Sequence, residues 1–370
     1  MKIQPRFKAK ILYILGAFIG IVGLQYIFLH FVTFRDFYLF DFYPAFSGFL
    51  RMVLGWFPFS IGDVLYVLVG VGLLLGIISL AKHVFNIKNA KREMIDLLLR
   101  FIAGILTVYL VFLLFWGLNY RYNRLAATFH ISMQGDYSVS EIKQLCDTLV
   151  HNLNNLHYRV VGNDSLAVVT QVDFLTLKKE AVDDYNKLSR IRPSLAYEKE
   201  SVKPSMFGQL MNYSGVTGYY NPFTGEAQVN TTPPTVSIPF TTCHEIAHQL
   251  GFAAEQAANF VGYYVASNSR HLLFQYSAKF SLFLYAINVM GRFDRKYADS
   301  LWKRGLMPGV RKDYQKYFMF FRPFESGFHE LSNQMYDQFL KANEQKKGIK
   351  SYRGVVALVL SYKKEYGVFP

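Results

Sequence analysis

Three long runs of apolar residues without a formal charge constrain this chain more than any other feature of its sequence. They extend from Ile11 to Phe34, from Val64 to Ala81 and from Phe101 to Tyr120. Each run is close to the ~20 residues that a helix needs to cross the hydrocarbon core of a bilayer. The hydrophobic share of 52% agrees with a chain that lies partly in lipid. The sequence therefore predicts a membrane domain of three transmembrane helices in residues 1–120, with the lipid bilayer as a partner.

The first run follows a basic N-terminus, a feature that a secretory signal peptide shares. The cations before it are Lys2, Arg6, Lys8 and Lys10. However, the run is long for the apolar part of a signal peptide, and no small-x-small cleavage site follows it. A retained anchor is the favoured interpretation.

The distribution of lysine and arginine predicts the orientation of the spans. Four cations precede the first span, whereas the loop after it has only Arg35 and Arg51. Further cations, among them Lys82, Lys88, Lys91 and Arg92, lie between the second and third spans. Because positive residues favour the cytoplasmic side, we expect residues 121–370 to be extracytoplasmic, although Arg121 and Arg124 oppose this orientation.

The loop between the first two spans is rich in Phe, Tyr and Trp and is interrupted by prolines and glycines. Such side chains favour the headgroup interface, so an interfacial or re-entrant segment is one interpretation, and packing against the spans is the other. Asp63 stands at the mouth of the second span, where an acidic residue is usually solvated.

The formal net charge of +14 raises the question of nucleic-acid binding. Much of this charge lies at membrane edges, and the chain has no zinc-finger, homeodomain or RNA-binding motif. No nucleic-acid partner is predicted. The two cysteines, Cys146 and Cys243, are far apart and are interpreted as buried free thiols.

Residues 121–370 are predicted to form a separate globular domain of the α+β class, mainly helical with a small sheet. Helices are indicated over Ser138 to His157, which opens with a capping box, and over Phe174 to Leu188. Residues 166–172 are typical of a short strand, and residues 215–230 of a hairpin. Further helical patterns cover residues 277–289, 328–340 and 355–360.

The stretch "TTCHEIAHQLG" carries the chemistry of this domain. On a helix, His244 and His248 lie one turn apart on one face, so that a single Zn²⁺ can bind both imidazoles. Glu245 is then placed to take a proton from a water molecule that zinc activates, as in a metallopeptidase. Thr241 or Thr242 is the predicted N-cap. Two core histidines on an amphipathic helix are the alternative reading.

A catalytic zinc takes three protein ligands and keeps one position open. Gly251 can adopt a positive φ, end the helix and return the chain toward the metal. Glu255 is the predicted third ligand, with a solvated surface glutamate as the alternative. Asn259, four residues later, could orient a ligand by a hydrogen bond or be a polar cap or surface residue. The competing third ligands are His271, Glu325 and His329.

The hairpin directly before this helix suggests how a peptide or protein substrate binds. An extended peptide could add to an edge strand over Glu226 to Asn230 by main-chain hydrogen bonds. Tyr219 and Tyr220 are candidates to stabilise the oxyanion or to contact the substrate, with simple packing as the alternative.

The chain resembles a family of bacterial membrane proteins known as domain of unknown function 3810, whose members look like zincin-type peptidases. The resemblance rests on "FYPAFSGFLRMVLGWFPFSIGD", "FWGLNYRYNR" and "SGVTGYYNPFTGEAQVNTTPPTVSIPFTTCHEIAHQLGFAAEQAANF". It implies a zincin-like domain with one Zn²⁺ per chain, held in the bacterial cytoplasmic (inner) membrane. The pattern of Glu255 and Asn259 is also similar to the Glu-x-x-x-Asp helix of glutamate-zincins.

One position departs from the family pattern. Family members usually have Glu-x-Glu-Ala-Asn where this chain has Ala257 in place of the second glutamate. If that carboxylate were the ligand, zinc would bind poorly here; with Glu255 as the ligand, nothing is lost. The leading hypothesis is a membrane-anchored zinc metallopeptidase, and the alternative is a non-catalytic membrane scaffold or binding protein with a zincin fold. No sequence pattern identifies the substrate or the oligomeric state.

Overall fold

The computed structural model describes residues 5–84, 90–131, 137–170, 172–343 and 352–370. Lys2 and Lys88, two of the cations that suggest the orientation, lie outside these residues. Up to Phe115 the chain forms α1 (Pro5–His30), α2 (Val32–Asp36), a π-helical turn (Phe37–Phe42), α3 (Tyr43–Leu54), α4 (Ile61–Val84) and α5 (Ala90–Phe115).

Three of these helices, α1, α4 and α5, are long and apolar enough to cross a membrane, which confirms the prediction of three membrane-spanning helices. Helices α1 and α5 pack side by side, and Tyr13 Oη lies 2.7 Å from Thr107 Oγ1 between them. In contrast, every residue of α4 from Tyr66 to Ser79 is exposed. In the described part of the chain these residues of α4 are therefore exposed, and they would contact the surrounding lipid.

The aromatic segment between the first two spans packs against both halves of the molecule. The ring of Phe46 lies 4.3 Å from that of Phe115 at the end of α5, which agrees with the packing interpretation. The opposite, polar face of α3 is buried, and there Tyr43 and Ser47 donate hydrogen bonds to the carbonyl oxygen of Gln249. Helix α3 thus joins the membrane half to the globular half.

A buried polar cluster attaches α4 to the globular half. Glu226 accepts hydrogen bonds from the backbone N–H groups of Ile61 and Gly62 and forms an ion pair of 2.5 Å with Lys203. Asp63 is fully buried and accepts from the backbone N–H of Met206, so the expectation that Asp63 is solvated is wrong. The reason is that the globular half covers the first turn of α4.

The globular half is mainly helical. Its helices are α6 (Arg124–Phe129), α7 (Val139–Val161), α8 (Phe174–Ser189), α9 (Gly208–Ser214), α10 (Ile238–Gln249), α11 (Glu255–Ser267), α12 (Leu272–Phe293), α13 (Arg295–Ser300), α14 (Pro308–Phe321), α15 (Gly327–Ala342) and α16 (Tyr352–Tyr366). A second π-helical turn covers Leu301–Gly305, and short 3₁₀ turns cover Gly117–Arg121, Pro193–Leu195, Thr235–Ser237 and Arg322–Phe324.

The predicted helices are confirmed, and so is the capping box at the start of α7. Ser138 accepts from the backbone N–H of Glu141, whose carboxylate accepts from the backbone N–H of Ser138. The apolar stripe of α7 packs against α12 in the core. Cys146 and Cys243 are buried free thiols, as expected.

The described residues contain one sheet of three strands, β1 (Val202–Pro204), β2 (Gly218–Asn221) and β3 (Glu226–Val229), in the order β1-β3-β2. Strands β2 and β3 form the predicted antiparallel hairpin, and β1 pairs with β3 in parallel. This confirms the α+β class. The prediction that residues 226–230 form an edge strand is wrong, because β1 covers the second side of β3; the edge beside the cleft is β2.

The strand predicted over residues 166–172 is absent from the described residues of that segment. The backbone N–H of Val168 donates to the carboxylate of Asp313 rather than to a neighbouring strand. An extended segment without a strand partner does not form a ladder, whatever its β-propensity.

Candidate metal centre

Helix α10, which carries both histidines of the motif, begins earlier than predicted. Pro239 occupies its first turn, where the missing N–H of proline costs nothing. Thr241 and Thr242 therefore lie inside the helix, and their hydroxyls donate to carbonyl oxygens one turn earlier. The prediction that one of them is the N-cap is wrong.

Buried hydrogen bonds fix the position of α10. The Gln249 side chain donates to the carbonyl oxygens of Ser201 and Gly225 and accepts from the hydroxyl of Tyr197. The hydroxyl of Tyr185 donates to the carbonyl oxygen of Cys243, one residue before the first histidine. These hydrogen bonds therefore hold α10, and with it His244 and His248, in a fixed position.

Two glycines bring the third candidate ligand to the histidines. Gly251 has φ +88° and ends α10, as the sequence predicted, so that Glu255 can begin α11. Gly262 lies on α11 where a Cβ atom would be 2.9 Å from the backbone nitrogen of His244. Only the absence of a side chain at Gly262 lets α11 approach α10 this closely.

The predicted ligand atoms lie together. Glu255 Oε2 is 3.5 Å from His244 Nε2, and Glu255 Oε1 is 3.5 Å from His248 Nε2. One ligand atom from each of the three residues lies within 4.8 Å of the others. Ligand atoms ~2.0 Å from a tetrahedral metal are about 3.3 Å apart. Two imidazole nitrogens and a carboxylate oxygen at this spacing fit Zn²⁺, and the ligand roles stay a prediction.

The surroundings orient the candidate ligands. His248 Nδ1 lies 3.0 Å from the carbonyl oxygen of Phe252, so a proton on Nδ1 leaves the Nε2 lone pair directed at the cluster. Burial opposes the charge on Glu255, but when His244 and His248 are protonated, their hydrogen bonds and positive charge hold its pKa well below the usual range. Glu255 is thus available as an anionic ligand.

Glu245 lies beside the ligands without joining them. Its side chain is buried, and its Oε2 makes no hydrogen bond. Burial raises the pKa of Glu245 to about 7, although His244 and His248 lower it. The backbone of β2 passes next to this carboxylate, since a Cβ on Gly218 would be 2.5 Å from Glu245 Oε1. A buried carboxyl of this kind can exchange a proton near neutral pH.

A tyrosine that the sequence reasoning missed reaches the cluster from α15. The hydroxyl of Tyr336 donates to Glu255 Oε1. Tyr336 follows the helical motif by nearly ninety residues, and no local pattern distinguishes it from the other 25 tyrosines of a chain that has 26. Only the tertiary fold identifies it.

Tyr219 and Tyr220, the predicted oxyanion candidates, both line the cleft through β2. The hydroxyl of Tyr219 donates to Asp63 at the start of α4. The ring of Tyr220 packs 4.6 Å from that of Trp116, and its hydroxyl interacts with Tyr43. Both hydroxyls have partners away from His244, His248 and Glu255, and their role as oxyanion or substrate contacts stays a prediction.

Asn259 is buried at the wall of the cleft, one turn after Glu255 on α11. Within the described part of the chain, no hydrogen bond joins its side chain to Glu255. Its predicted orienting role therefore has no support from a direct contact.

The competing third ligands lie outside the cluster. His271 accepts a hydrogen bond at the N-cap of α12, His329 packs against Gly215, and Glu325 follows a 3₁₀ turn. Ala257 is packed in the hydrophobic core. The cluster of His244, His248 and Glu255 therefore forms without a carboxylate at position 257.

The cluster opens into a cavity of about 630 Å³. One wall comes from β2 and α9, and α15 contributes Ser332, Asn333, Tyr336 and Phe339. Membrane-spanning helices also line it, through Tyr66 of α4 and Phe112 of α5, with Trp116 just after α5. The ring of Trp116 lies 6.1 Å from that of His248. The candidate metal centre thus lies directly at the end of a span.

Comparison with known proteins identifies one family. The model of a family described as "Protein of unknown function (DUF3810)" matches residues 38–360. No curated protein and no solved structure shows significant similarity to the chain. The match covers α3, the second and third spans and the whole cluster of candidate ligands.

Proposed function

The chain belongs to the DUF3810 family of proteins of unknown function, and we propose that it is a membrane-anchored, zinc-dependent peptidase. The observation that carries the proposal is the close grouping of His244, His248 and Glu255 beside Glu245. Two imidazoles, one carboxylate ligand and an adjacent free carboxylate are the parts that zinc-dependent hydrolysis of a peptide bond requires.

His244, His248 and Glu255 would hold one Zn²⁺ per chain. When bound, Zn²⁺ supplies a Lewis acid that polarises a carbonyl group and makes water acidic. The hydrogen bond between His248 Nδ1 and the carbonyl oxygen of Phe252 supports this assignment, because it keeps Nε2 unprotonated in the neutral imidazole.

Glu245 is the proposed general base. It would take a proton from the attacking water and later give it to the leaving amine, and a pKa of about 7 suits both transfers. Its unpaired Oε2 supports the role, since a buried carboxylate oxygen without a partner is otherwise costly.

Strand β2 is the proposed binding edge for the substrate. It pairs with β3 on one side only, and its other side faces the cleft beside Glu245. An extended peptide could pair with this edge through main-chain hydrogen bonds and place a peptide bond near the cluster. The Tyr336 hydroxyl, which now donates to Glu255, is the proposed donor to the oxygen of the scissile carbonyl.

The proposed location is the bacterial cytoplasmic (inner) membrane, with residues 121–370 on the extracytoplasmic side. The cation-rich N-terminus and the cations between the second and third spans support this orientation.

The test uses full-length protein and a Glu245→Gln variant, purified without chelator. Zinc is measured by elemental analysis, and hydrolysis with an internally quenched library of octapeptides, both free and attached to a membrane-spanning helix. We expect about one zinc per chain in both proteins and a loss of hydrolysis of at least about 100-fold in the variant.

Zinc-free parent protein would overturn the proposal and favour a non-catalytic scaffold. Equal hydrolysis by Glu245→Gln would overturn the role of Glu245 and indicate a contaminating peptidase.

A further inference from the structure

We propose that the substrate is itself a membrane protein, cut in the segment that directly follows one of its membrane-spanning helices. This inference rests on the proposed function and names its substrate class. Tyr66 of α4 lines the cleft, so that a substrate helix could lie against α4 while the adjoining extended segment enters the cleft.

The first argument is the short distance between the cluster and the membrane. Helix α5 ends at Phe115, and the next residue, Trp116, contacts both His248 of the cluster and Tyr220 of the edge strand. On the other side of the cleft, the ring of Tyr66 on α4 lies 5.8 Å from that of Tyr219. Side chains of two spans thus form part of the cleft wall.

The second argument is that the globular half is fixed at the membrane. Lys203 of β1 donates to the carbonyl oxygens of Leu54 and Phe59, and Glu226 accepts from the first N–H groups of α4. Breaking a buried ion pair such as that of Lys203 and Glu226 is costly. The cleft is therefore held at the ends of the spans rather than presented to the aqueous phase on a flexible stalk.

The third argument is the open side of α4. All its residues from Tyr66 to Ser79, about 20 Å of helix, are exposed, whereas α1 and α5 pack together. Gly70 lies on the same face of α4 as Tyr66, one turn further into the membrane. A Cβ atom at Gly70 would meet no atom within 4 Å. A small residue on an open face lets a second helix approach closely in lipid, where van der Waals packing drives association.

The fourth argument is the exposed apolar surface of α15, which borders the cleft. Its residues Tyr336 and Phe339 contact Glu255 and Phe112 and are themselves partly exposed. Phe328, Leu331 and Met335 of the same helix are exposed as well. An amphipathic helix next to the ends of spans is suited to the headgroup interface, which again brings the cleft to the bilayer surface.

The experiment compares three probes on the full-length protein in vesicles of phosphatidylethanolamine and phosphatidylglycerol. All carry the same randomised, internally quenched segment. In one probe it continues into a Leu–Ala helix that spans the bilayer, in the second it carries a palmitoyl chain, and the third is the free peptide. The palmitoyl probe controls for concentration at the membrane surface.

We expect the helix probe to be hydrolysed about tenfold faster than the palmitoyl probe at equal vesicle-bound concentration. Gly70→Leu should reduce this ratio about threefold, because the larger side chain covers the face of α4. Gly16→Leu on α1 is the matched control, since a Cβ there also meets nothing within 4 Å, and it should keep the parental ratio. Equal rates for helix and palmitoyl probes, or equal effects of both variants, would overturn the proposal.

A binding measurement separates this proposal from the proposed function. A photoreactive leucine in the outer turn of the probe helix is cross-linked to Glu245→Gln protein, and the site is mapped by mass spectrometry. We expect the cross-link on α4 near Tyr66. If this cross-link forms but the parent protein hydrolyses no probe, the proposed peptidase activity is contradicted and the helix-binding face of α4 is supported. If free peptide is hydrolysed and no cross-link forms on α4, the proposed peptidase activity is supported and the proposed substrate class is wrong.

Discussion

The hydroxyl of Tyr336 donates a hydrogen bond to Glu255 Oε1, and this contact joins α15 to the first turn of α11. It is the point at which the helix over the cleft meets the candidate ligands. Because a phenol has a single O–H proton, Tyr336 could donate to a substrate oxygen only by giving up its bond to Glu255. The arrangement gives Tyr336 a direct part in the proposed chemistry.

Replacing Tyr336 by Phe should therefore lower kcat by about 100-fold, the usual effect of removing one donor to a developing oxyanion. Zinc content should stay near that of the parent, since the three ligands are unchanged. Steady-state kinetics and elemental analysis on the same preparation check both expectations. The control is Tyr158→Phe on α7, an exposed position far along the chain from the site. Unchanged kcat in Tyr336→Phe would contradict the role.

The Glu255→Ala variant should bind zinc more than about 100-fold more weakly than the parent, because two histidines alone do not complete a zinc site. Titration with a competing chelator measures the affinity. Glu325→Ala is the matched control, since Glu325 is exposed and outside the cluster. If Glu325→Ala lost zinc and Glu255→Ala kept it, the third ligand would be misassigned.

Gly262→Ala should destabilise the protein by roughly 1–3 kcal/mol, because the added methyl meets the backbone of His244 and overpacks the contact between α10 and α11. Zinc affinity should fall with it, as Glu255 moves away from the histidines. Unfolding in detergent micelles and chelator titration provide the two measurements.

Gly291→Ala on α12 is the control for Gly262→Ala. A Cβ at Gly291 would be 3.8 Å from its nearest neighbour, an ordinary contact. The helix propensity of alanine should then stabilise the protein by up to ~1 kcal/mol. Similar losses in both variants would mean that the close approach at Gly262 has no special importance.

Asp184 gives a prediction about pH. Burial raises the pKa of this carboxyl to about 6, whereas the value in the unfolded chain is about 3.9. The folded protein therefore binds the proton more tightly, and the associated stability is present below about pH 4 and is lost as the pH rises through 6. Asp184→Asn removes the ionisation and should stabilise the protein by about 3 kcal/mol at pH 8.

The measurement for Asp184→Asn is the difference in unfolding free energy from the parent between pH 4 and 8. The difference should grow as the pH rises from 4 to 6 and then become constant. A difference that does not vary with pH would show that the ionisation of Asp184 is not the cause.

Sequence patterns identified the parts of this molecule whose structure depends on near neighbours. Uncharged runs of sufficient length predicted α1, α4 and α5, because a bilayer demands apolar helices of that length. The spacing of His244 and His248 and the glycine at position 251 predicted the helix, its end and the return of the chain. The α+β class and the hairpin followed from local periodicity and turn residues.

The errors occurred where a neighbour distant in sequence determines the structure. Residues 166–172 have the composition of a strand but no strand to pair with, and β3 is central because β1 arrives from an earlier segment. The aspartate at position 63 is buried because the globular half covers the start of α4, a contact across more than 140 residues.

By itself the sequence determined that the chain has three membrane-spanning helices and a helix with two histidines one turn apart, since both depend on helical period and residue type. Tertiary structure alone decided that Glu255 faces those histidines, that Tyr336 reaches Glu255, and that Trp116 and Tyr66 bring two spans to the cleft. The physical reason is that such contacts follow from the packing of whole helices, as at Gly262, where a missing side chain sets the separation of α10 and α11.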